Sequence, residues 1–567
     1  MTQATGTTPT SATDGGRFHP LRETWRQALI AGALAVGVAL LARLTLQITT
    51  PAEVYAEALI RFVPLSVFSW LVGTLGPGAK HLFFGGVLAA AGVLAAALGV
   101  LYVALRSAIL RRTGRLADMA DSADSAAAVV PGYVETPLIV LLLWLVTAGV
   151  FAPLLGGGFF GAGFDEGVAG TLLTQLLPDI VFAVAFIWLL RATLIAQPAA
   201  EGETTAAAAR LSRRRLLNRG LTGVVVVAGA ALAWEFISSA FGFTMAHRPP
   251  LNVANAPKRV SPPPQPSYGP WTNLSGQSAE VTPTADFYYV SKNFVNDPQV
   301  DISSWRLTLG GSVSHPLTLT YDQLRGRPAV ERYHTLECIS NEVGGDLMSN
   351  AYFRGVRLAD LLNEAGLQPG ATELIFRAAD GYSDRLHLSQ ALDPQALIVY
   401  DINGAPLPQA HGFPARLLIP GLYGMKNGKW LTALEVDSGD YTGYWESRGW
   451  TREAKVKMTS RIDLPTDGAV LTTKPMWIAG VAYSSDRGIG RVEVSTDAGA
   501  TWQEATLRRP LGPLTWVLWQ YRWQPTSGSH VLAVRAIDLA GDVQTISEAP
   551  PLPDGASGYH AVQVFVG

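Results

Sequence analysis

The sequence predicts a multi-domain chain: an all-α transmembrane bundle, then a mixed α+β domain, then an all-β sandwich. Three observations carry this expectation. A mean hydropathy of +0.21 with only 16% charged residues is too apolar for an ordinary soluble protein. The 36 prolines and 15 tryptophans do not suit a purely helical membrane protein. The long apolar runs fall in the first 245 residues, whereas the C-terminal stretch alternates polar and apolar residues with a two-residue period.

Within residues 1–245, the apolar runs Ala28–Ile48, Leu82–Leu105, Pro137–Leu155, Thr171–Leu190 and Leu221–Phe243 each reach or approach the ~20 residues that cross a bilayer as helix. About five spans are expected. A sixth apolar run, Phe62–Leu75, is too short and is bounded by Arg61 and by Gly76-Pro-Gly-Ala-Lys80, which fits an interfacial or re-entrant segment. Leaving it out places Arg22 and Arg26, the cluster from Arg111 to Arg115, and the cluster from Arg210 to Arg219 on one side. The positive-inside rule then makes the N terminus cytoplasmic and everything after Phe243 extracytoplasmic, in a multi-pass protein of the cell membrane. No histidine lies inside these spans, so no haem is expected in this chain. The spans also lack paired charges and internal repeats, which weakens a transporter reading. The run Leu211–Gly220, with Arg213-Arg214 before an apolar stretch, resembles an internal twin-arginine export signal and also reads as an ordinary juxtamembrane basic cluster.

Residues 246–284 are expected to form a semi-rigid spacer, because prolines crowd Arg248-Pro-Pro and Ser261-Pro-Pro-Pro-Gln-Pro-Ser267. The formal net charge of -2 and the absence of a nucleic-acid motif argue against a polyanion partner. A single cysteine rules out an intramolecular disulfide.

Residues 285–453 read as mixed α/β. Strand-like runs such as Trp305–Gly310 and Leu417–Ile419 alternate with helical pieces such as Tyr321–Leu324 and Leu358–Glu364. Three segments carry the chemistry: Tyr333-His-Thr-Leu-Glu-Cys338-Ile-Ser-Asn341; Asn403-Gly-Ala-Pro-Leu-Pro-Gln-Ala-His411-Gly-Phe-Pro-Ala-Arg416; and Pro420-Gly-Leu-Tyr-Gly-Met-Lys426-Asn-Gly-Lys429-Trp430. In this order they resemble the molybdopterin-binding domain of the sulfite oxidase family, including its periplasmic methionine-sulfoxide reductase branch.

The resemblance implies a molybdenum–molybdopterin cofactor with Cys338 as the metal thiolate. Soft sulfur donors suit that metal, and a pterin phosphate calls for cations and backbone N–H groups. His411, Arg416 and Lys429 fall where pterin contacts are expected, and Lys426 occupies a position that is basic in sulfite oxidases. Upstream, Lys292-Asn293 stands where sulfite oxidases place an active-site arginine before an asparagine, so Lys292 is a candidate catalytic cation and Asn293 a candidate cofactor contact. Lysine keeps the charge but loses the bidentate fork for a tetrahedral anion. Gly449 and Trp450 stand where the family has an Asp-Tyr pair, and an indole N–H cannot replace a phenol hydroxyl. Both departures point away from sulfite towards another small oxo-compound. The resemblance further implies two-electron oxygen-atom transfer, here at an extracytoplasmic site, with electrons passing to or from a separate cytochrome or quinone-linked partner. The alternatives are a sulfite oxidase or dehydrogenase proper, and a non-enzymatic membrane-anchored scaffold that retains the fold.

Residues 454–567 read as an immunoglobulin-like sandwich: Arg491–Ser495 alternates, Asp497-Ala-Gly499 is a turn, and Val517, Trp519, Tyr521 and Trp523 share one strand face. Trp519 and Trp523 are expected in its core. By the family's domain order this part mediates dimerisation, so a homodimer is a candidate assembly.

Overall fold

The computed structural model describes residues 20–46, 49–60, 62–63, 67, 78–113, 130–162, 167–194, 251, 257–260, 266, 268–294 and 297–567. The expected fifth span, the Arg213-Arg214 pair and most of the short apolar segment lie outside the described residues. The chain divides into a helical unit and a unit containing all the strands.

In the helical unit, α1 (Pro20–Leu46), α2 (Pro51–Ile60), α3 (Gly78–Arg112), α4 (Thr136–Val146) and α5 (Gly167–Leu194) include four helical runs long and apolar enough to cross a membrane. These are Thr24–Thr45, Ala79–Leu110, Tyr133–Leu154 and Val168–Thr193, and each contains most or all of an expected run. Small residues let the helices approach closely, since a Cβ on Gly32 would stand 2.7 Å from the Gly92 carbonyl oxygen. Large apolar side chains such as Leu41, Ile109 and Leu173 point outward and are exposed. Arg43 in α1 bonds Glu53 at 2.9 Å, and Arg106 in α3 bonds Glu135 at 3.0 Å; of these four residues only Arg43 falls within an expected span. Each pair joins a helix to the start of another, so the charges are neutralised where apolar helices end.

In the second unit, the strands up to residue 437 form two sheets. One has the order β2 (Leu317–Leu319), β1 (Leu307–Gly311), β10 (Leu431–Asp437), β5 (Glu373–Ala378), β6 (Ser383–His387). The other has the order β3 (Val330–Glu337), β4 (Met348–Arg357), β7 (Leu397–Ile402), β8 (Ala405–Pro406), with β9 (Arg416–Leu418) also pairing β7. Short helices fill the layers between: α6 (Tyr321–Arg325), α7 (Leu358–Ala365) and α8 (Leu388–Ala391). In α7, Leu358, Leu361, Leu362 and Ala365 recur at helical spacing and are all buried. Helix α6 starts at Thr320, which forms a reciprocal capping box with Gln323.

The remaining strands form a β-sandwich. Its sheets run β11 (Thr459–Leu464), β13 (Met476–Tyr483), β17 (Val517–Trp523), β16 (Thr506–Leu507), and β12 (Val470–Leu471), β19 (His560–Val566), β18 (Gly528–Asp538), β14 (Ile489–Ser495), β15 (Gln503–Glu504). Trp519 and Trp523 lie in its core with Leu532, Val534 and Val564. The described part of the expected spacer is not free of the folded domains. Tyr268 bridges Leu507, Thr272 N–H bonds Gln520 at 3.3 Å, and Gln277 donates to the carbonyls of Gly480 and Trp519. Its described residues include a turn at Leu274–Gln277, with Gly276 at φ 89°, and several of its polar groups bond glutamine side chains and strand carbonyls of the sandwich.

Candidate active site

Cys338 follows the last residue of β3, and the β3–β4 pairing closes on Glu337 opposite Met348, so the loop 338–347 is held at the end of this hairpin. Within the loop, Cys338 N–H bonds the Leu347 carbonyl at 2.9 Å, and Asn341 donates to Glu337 and accepts from Leu347 N–H. The thiol is buried and lines a cleft of about 800 Å³, part of it open to solvent. Burial pushes the thiol pKa up, and hydrogen bonding from Ser340 opposes that shift.

The cleft also receives His411, Arg416 and Lys429. Gly412, at φ 106°, makes this convergence possible: a Cβ there would lie 3.0 Å from Lys429 Cβ and 3.2 Å from Arg416 Cβ. Arg416 opens β9 opposite Val399 and is 5% exposed. Its guanidinium donates to the carbonyls of His411 at 3.3 Å and Asn427 at 3.0 Å, while Nε is buried without an acceptor. Lys429 Nζ donates to the Ala410 carbonyl at 2.9 Å and stands over the rings of Trp430 and Tyr289. Among the described residues, neither cation forms an ion pair with a carboxylate. Burial lowers all three basic groups: Arg416 to about 10, Lys429 to about 7 and His411 to about 4, with Arg416 also depressing both neighbours. The result is an electropositive wall with unmet donor capacity, suited to an anion.

Lys426 departs from expectation. It is 2% exposed but does not line the cleft. Its ammonium bonds Asp384 at 2.7 Å, Glu446 at 2.9 Å and the Arg385 carbonyl at 3.2 Å, so its three donors are occupied. The turn Gly424–Lys426 aims the side chain at β6 and the Glu446 turn instead. Asn293 likewise does not line the cleft; its amide bonds Asp297 and Asp380, and only Asp380 reaches the cleft wall.

Lys292 and Trp450 do face the cleft. Lys292 Nζ lies 5.0 Å from the Tyr444 ring centre, and Trp450 stacks on Trp445 at 4.2 Å. Tyr441, whose hydroxyl meets Ser383 at 2.6 Å, and Tyr444 are not on the cleft wall. Among the wall residues that sequence reasoning did not single out are Tyr288, Asp380 and Tyr382. Gly424 admits Tyr288, since a Cβ there would stand 2.7 Å from its hydroxyl. The Tyr382 hydroxyl bonds the Met425 carbonyl at 2.8 Å and Asp384 at 3.1 Å. The one available signal was the Asp380-Gly-Tyr382 turn between β5 and β6, where Asp380 accepts the Tyr382 N–H and Gly381 takes φ 76°.

Comparison with known proteins adds two family matches. Residues 294–445 match the oxidoreductase molybdopterin binding domain, and residues 451–549 match the Mo-co oxidoreductase dimerisation domain. The chain is 31% identical to the mitochondrial sulfite oxidase of Homo sapiens over 319 residues, covering 48% of this chain and 58% of that protein. It is 28% identical to the sulfite oxidase of Arabidopsis thaliana over 333 residues, covering 47% and 83%. A crystal structure of the sulfane dehydrogenase SoxCD from Paracoccus pantotrophus aligns with a TM-score of 0.44 at 22% identity, over 52% of this chain and 87% of that one. The chain thus spans under two thirds of the mammalian relatives' length. The matched domain implies a molybdenum–molybdopterin cofactor, and the cleft's donor set fits it: one thiol, two buried cations without carboxylate partners among the described residues, and an orphaned Arg416 Nε.

Proposed function

We propose, from the premise that this chain belongs to the sulfite oxidase family, that it is a membrane-anchored molybdenum-cofactor oxidoreductase acting on a small oxo-compound at an extracytoplasmic site. The observation that carries the reading is the meeting, in one cleft, of a buried thiol with two buried cations, Arg416 and Lys429, that form no ion pair with a carboxylate among the described residues. When bound, the cofactor supplies two-electron oxygen-atom transfer between water and substrate. Cys338 provides its protein thiolate. Arg416, Lys429 and His411 hold the pterin and its phosphate, and the walls of Tyr288, Trp430 and Trp450 limit water. Lys292 faces the incoming substrate as a point charge. Four helices long and apolar enough to span a bilayer support the anchor, and the dimerisation-domain match supports a homodimer. Electrons leave or enter through a separate cytochrome or quinone-linked partner.

A second reading, sulfite oxidation proper, draws support from Tyr288, a phenol on the cleft wall where Trp450 has none; the Tyr382 hydroxyl is taken by Met425 and Asp384. The ratio of kcat/KM for sulfite to that for a sulfoxide separates the two readings. The first predicts a low ratio that rises in Lys292→Arg/Trp450→Tyr. Efficient sulfite turnover by the unmodified enzyme would favour the second.

A further inference from the structure

The strand that delivers Cys338 is fastened to the C-terminal domain by three hydrogen bonds at Thr335. Thr335 N–H bonds the Leu514 carbonyl at 2.9 Å, and the Thr335 hydroxyl accepts Trp516 N–H at 2.9 Å. The buried Tyr483 hydroxyl donates to the Thr335 carbonyl at 2.7 Å. Beyond the cysteine, Arg461 on β11 reaches the loop itself: Nη1 donates to the Gly345 carbonyl at 2.6 Å, Nη2 to Ser278 at 2.7 Å, and Nε is held by Asp463 at 2.7 Å. The neighbouring Gly344 has no room for a side chain, because a Cβ would stand 2.2 Å from the His560 ring on β19. His560 is in turn held by Ile462 N–H at 3.0 Å.

We infer that Arg461 and Tyr483 are positioning residues for the Cys338 thiol, so that the sandwich is part of the active site as well as an assembly module. Bonds within the loop shape it but do not fix it to its surroundings, so as a unit it can open locally unless a neighbouring element holds it, and metal ligation demands a thiol fixed in place. The inference rests on the reading of Cys338 as the metal thiolate.

Because Cys338 is the chain's only cysteine, its reaction with a disulfide reagent reports this loop alone. The full chain, prepared in detergent from cells that do not make the cofactor, is labelled with 5,5'-dithiobis(2-nitrobenzoate) well below its melting temperature. Arg461→Ala is expected to react at least about tenfold faster than the unmodified chain, with Arg461→Lys in between. Val494→Ala, which trims the sandwich core away from the loop, should stay within about twofold. Equal rates for Arg461→Ala and Val494→Ala would overturn the inference. If Arg461→Ala does not accumulate folded, Tyr483→Phe takes its place in the same comparison. A Cys338→Ser protein with an unaltered metal centre would instead sink the ligand reading and leave the labelling result standing.

Discussion

Arg416 and Lys426 come from one glycine-rich stretch, and both side chains are almost completely buried, yet their surroundings are opposite. Around Lys426 every charge is answered: Asp384 and Glu446 bond it, Arg385 pairs with Glu373 and approaches Glu446, and Arg452 closes the group towards solvent. Around Arg416 there are two carbonyls and an orphaned Nε, with Lys429 and His411 adding positive character nearby. In the first arrangement each cation has a carboxylate counterion, although Arg385 Nε, like Arg416 Nε, makes no hydrogen bond; in the second Arg416 has no carboxylate counterion among the described residues. Residue type alone did not distinguish them; the presence of carboxylates did.

Breaking each side should give mirror-image results. Lys426→Met leaves the buried Asp384 without its cation, while Glu446 keeps Arg385 and Arg452, and is expected to destabilise the unit by about 3–5 kcal/mol. Thermal melting of the cofactor-free chain would show this, while cofactor content per folded molecule changes little. Arg416→Met should behave in the reverse way. Removing an unanswered charge and two hydrogen bonds leaves cofactor-free stability within about 1–2 kcal/mol, whereas molybdenum retained after purification falls at least about tenfold. Equal losses of stability in the two variants would erase the distinction.

A smaller effect concerns pH. Burial and the neighbouring cations hold His411 down to about 4, so below the ordinary histidine value the unfolded chain takes up a proton that the folded chain refuses. Stability of the cofactor-free protein should therefore fall as pH drops from ~6.5 towards 4, by up to about 3 kcal/mol from this group. His411→Gln should flatten that slope. His334, held to about 3 by its own burial, leaves a residual slope. An unchanged slope in His411→Gln would place the titration elsewhere.

The parts legible in the sequence were those with local signatures. Apolar length marked the four described helices long and apolar enough to cross a membrane, two-residue alternation marked the sandwich strands, and the glycines flanking Arg416 and Lys429 marked a backbone shaped around something. What the sequence hid depends on distant partners. Lys426 is only three positions from Lys429, but Gly428, against the Phe376 ring, and the turn before it send the two side chains to opposite sides. Its partners Asp384 and Glu446 lie far away along the chain and carry no motif. Asp380 and Tyr382 reach the cleft through a hairpin turn that looks like any other, and Arg461 reaches the cysteine loop from another domain. Composition gave residues 268–284 no partner, whereas Thr272 bonds Gln520 and Gln277 bonds the carbonyls of Gly480 and Trp519.

X-ray absorption at the molybdenum edge reads out whether the Cys338 thiol is a metal ligand. The fully loaded chain should show one more sulfur neighbour around molybdenum than Cys338→Ser loaded to the same metal content. Identical sulfur counts in the two proteins would contradict the account.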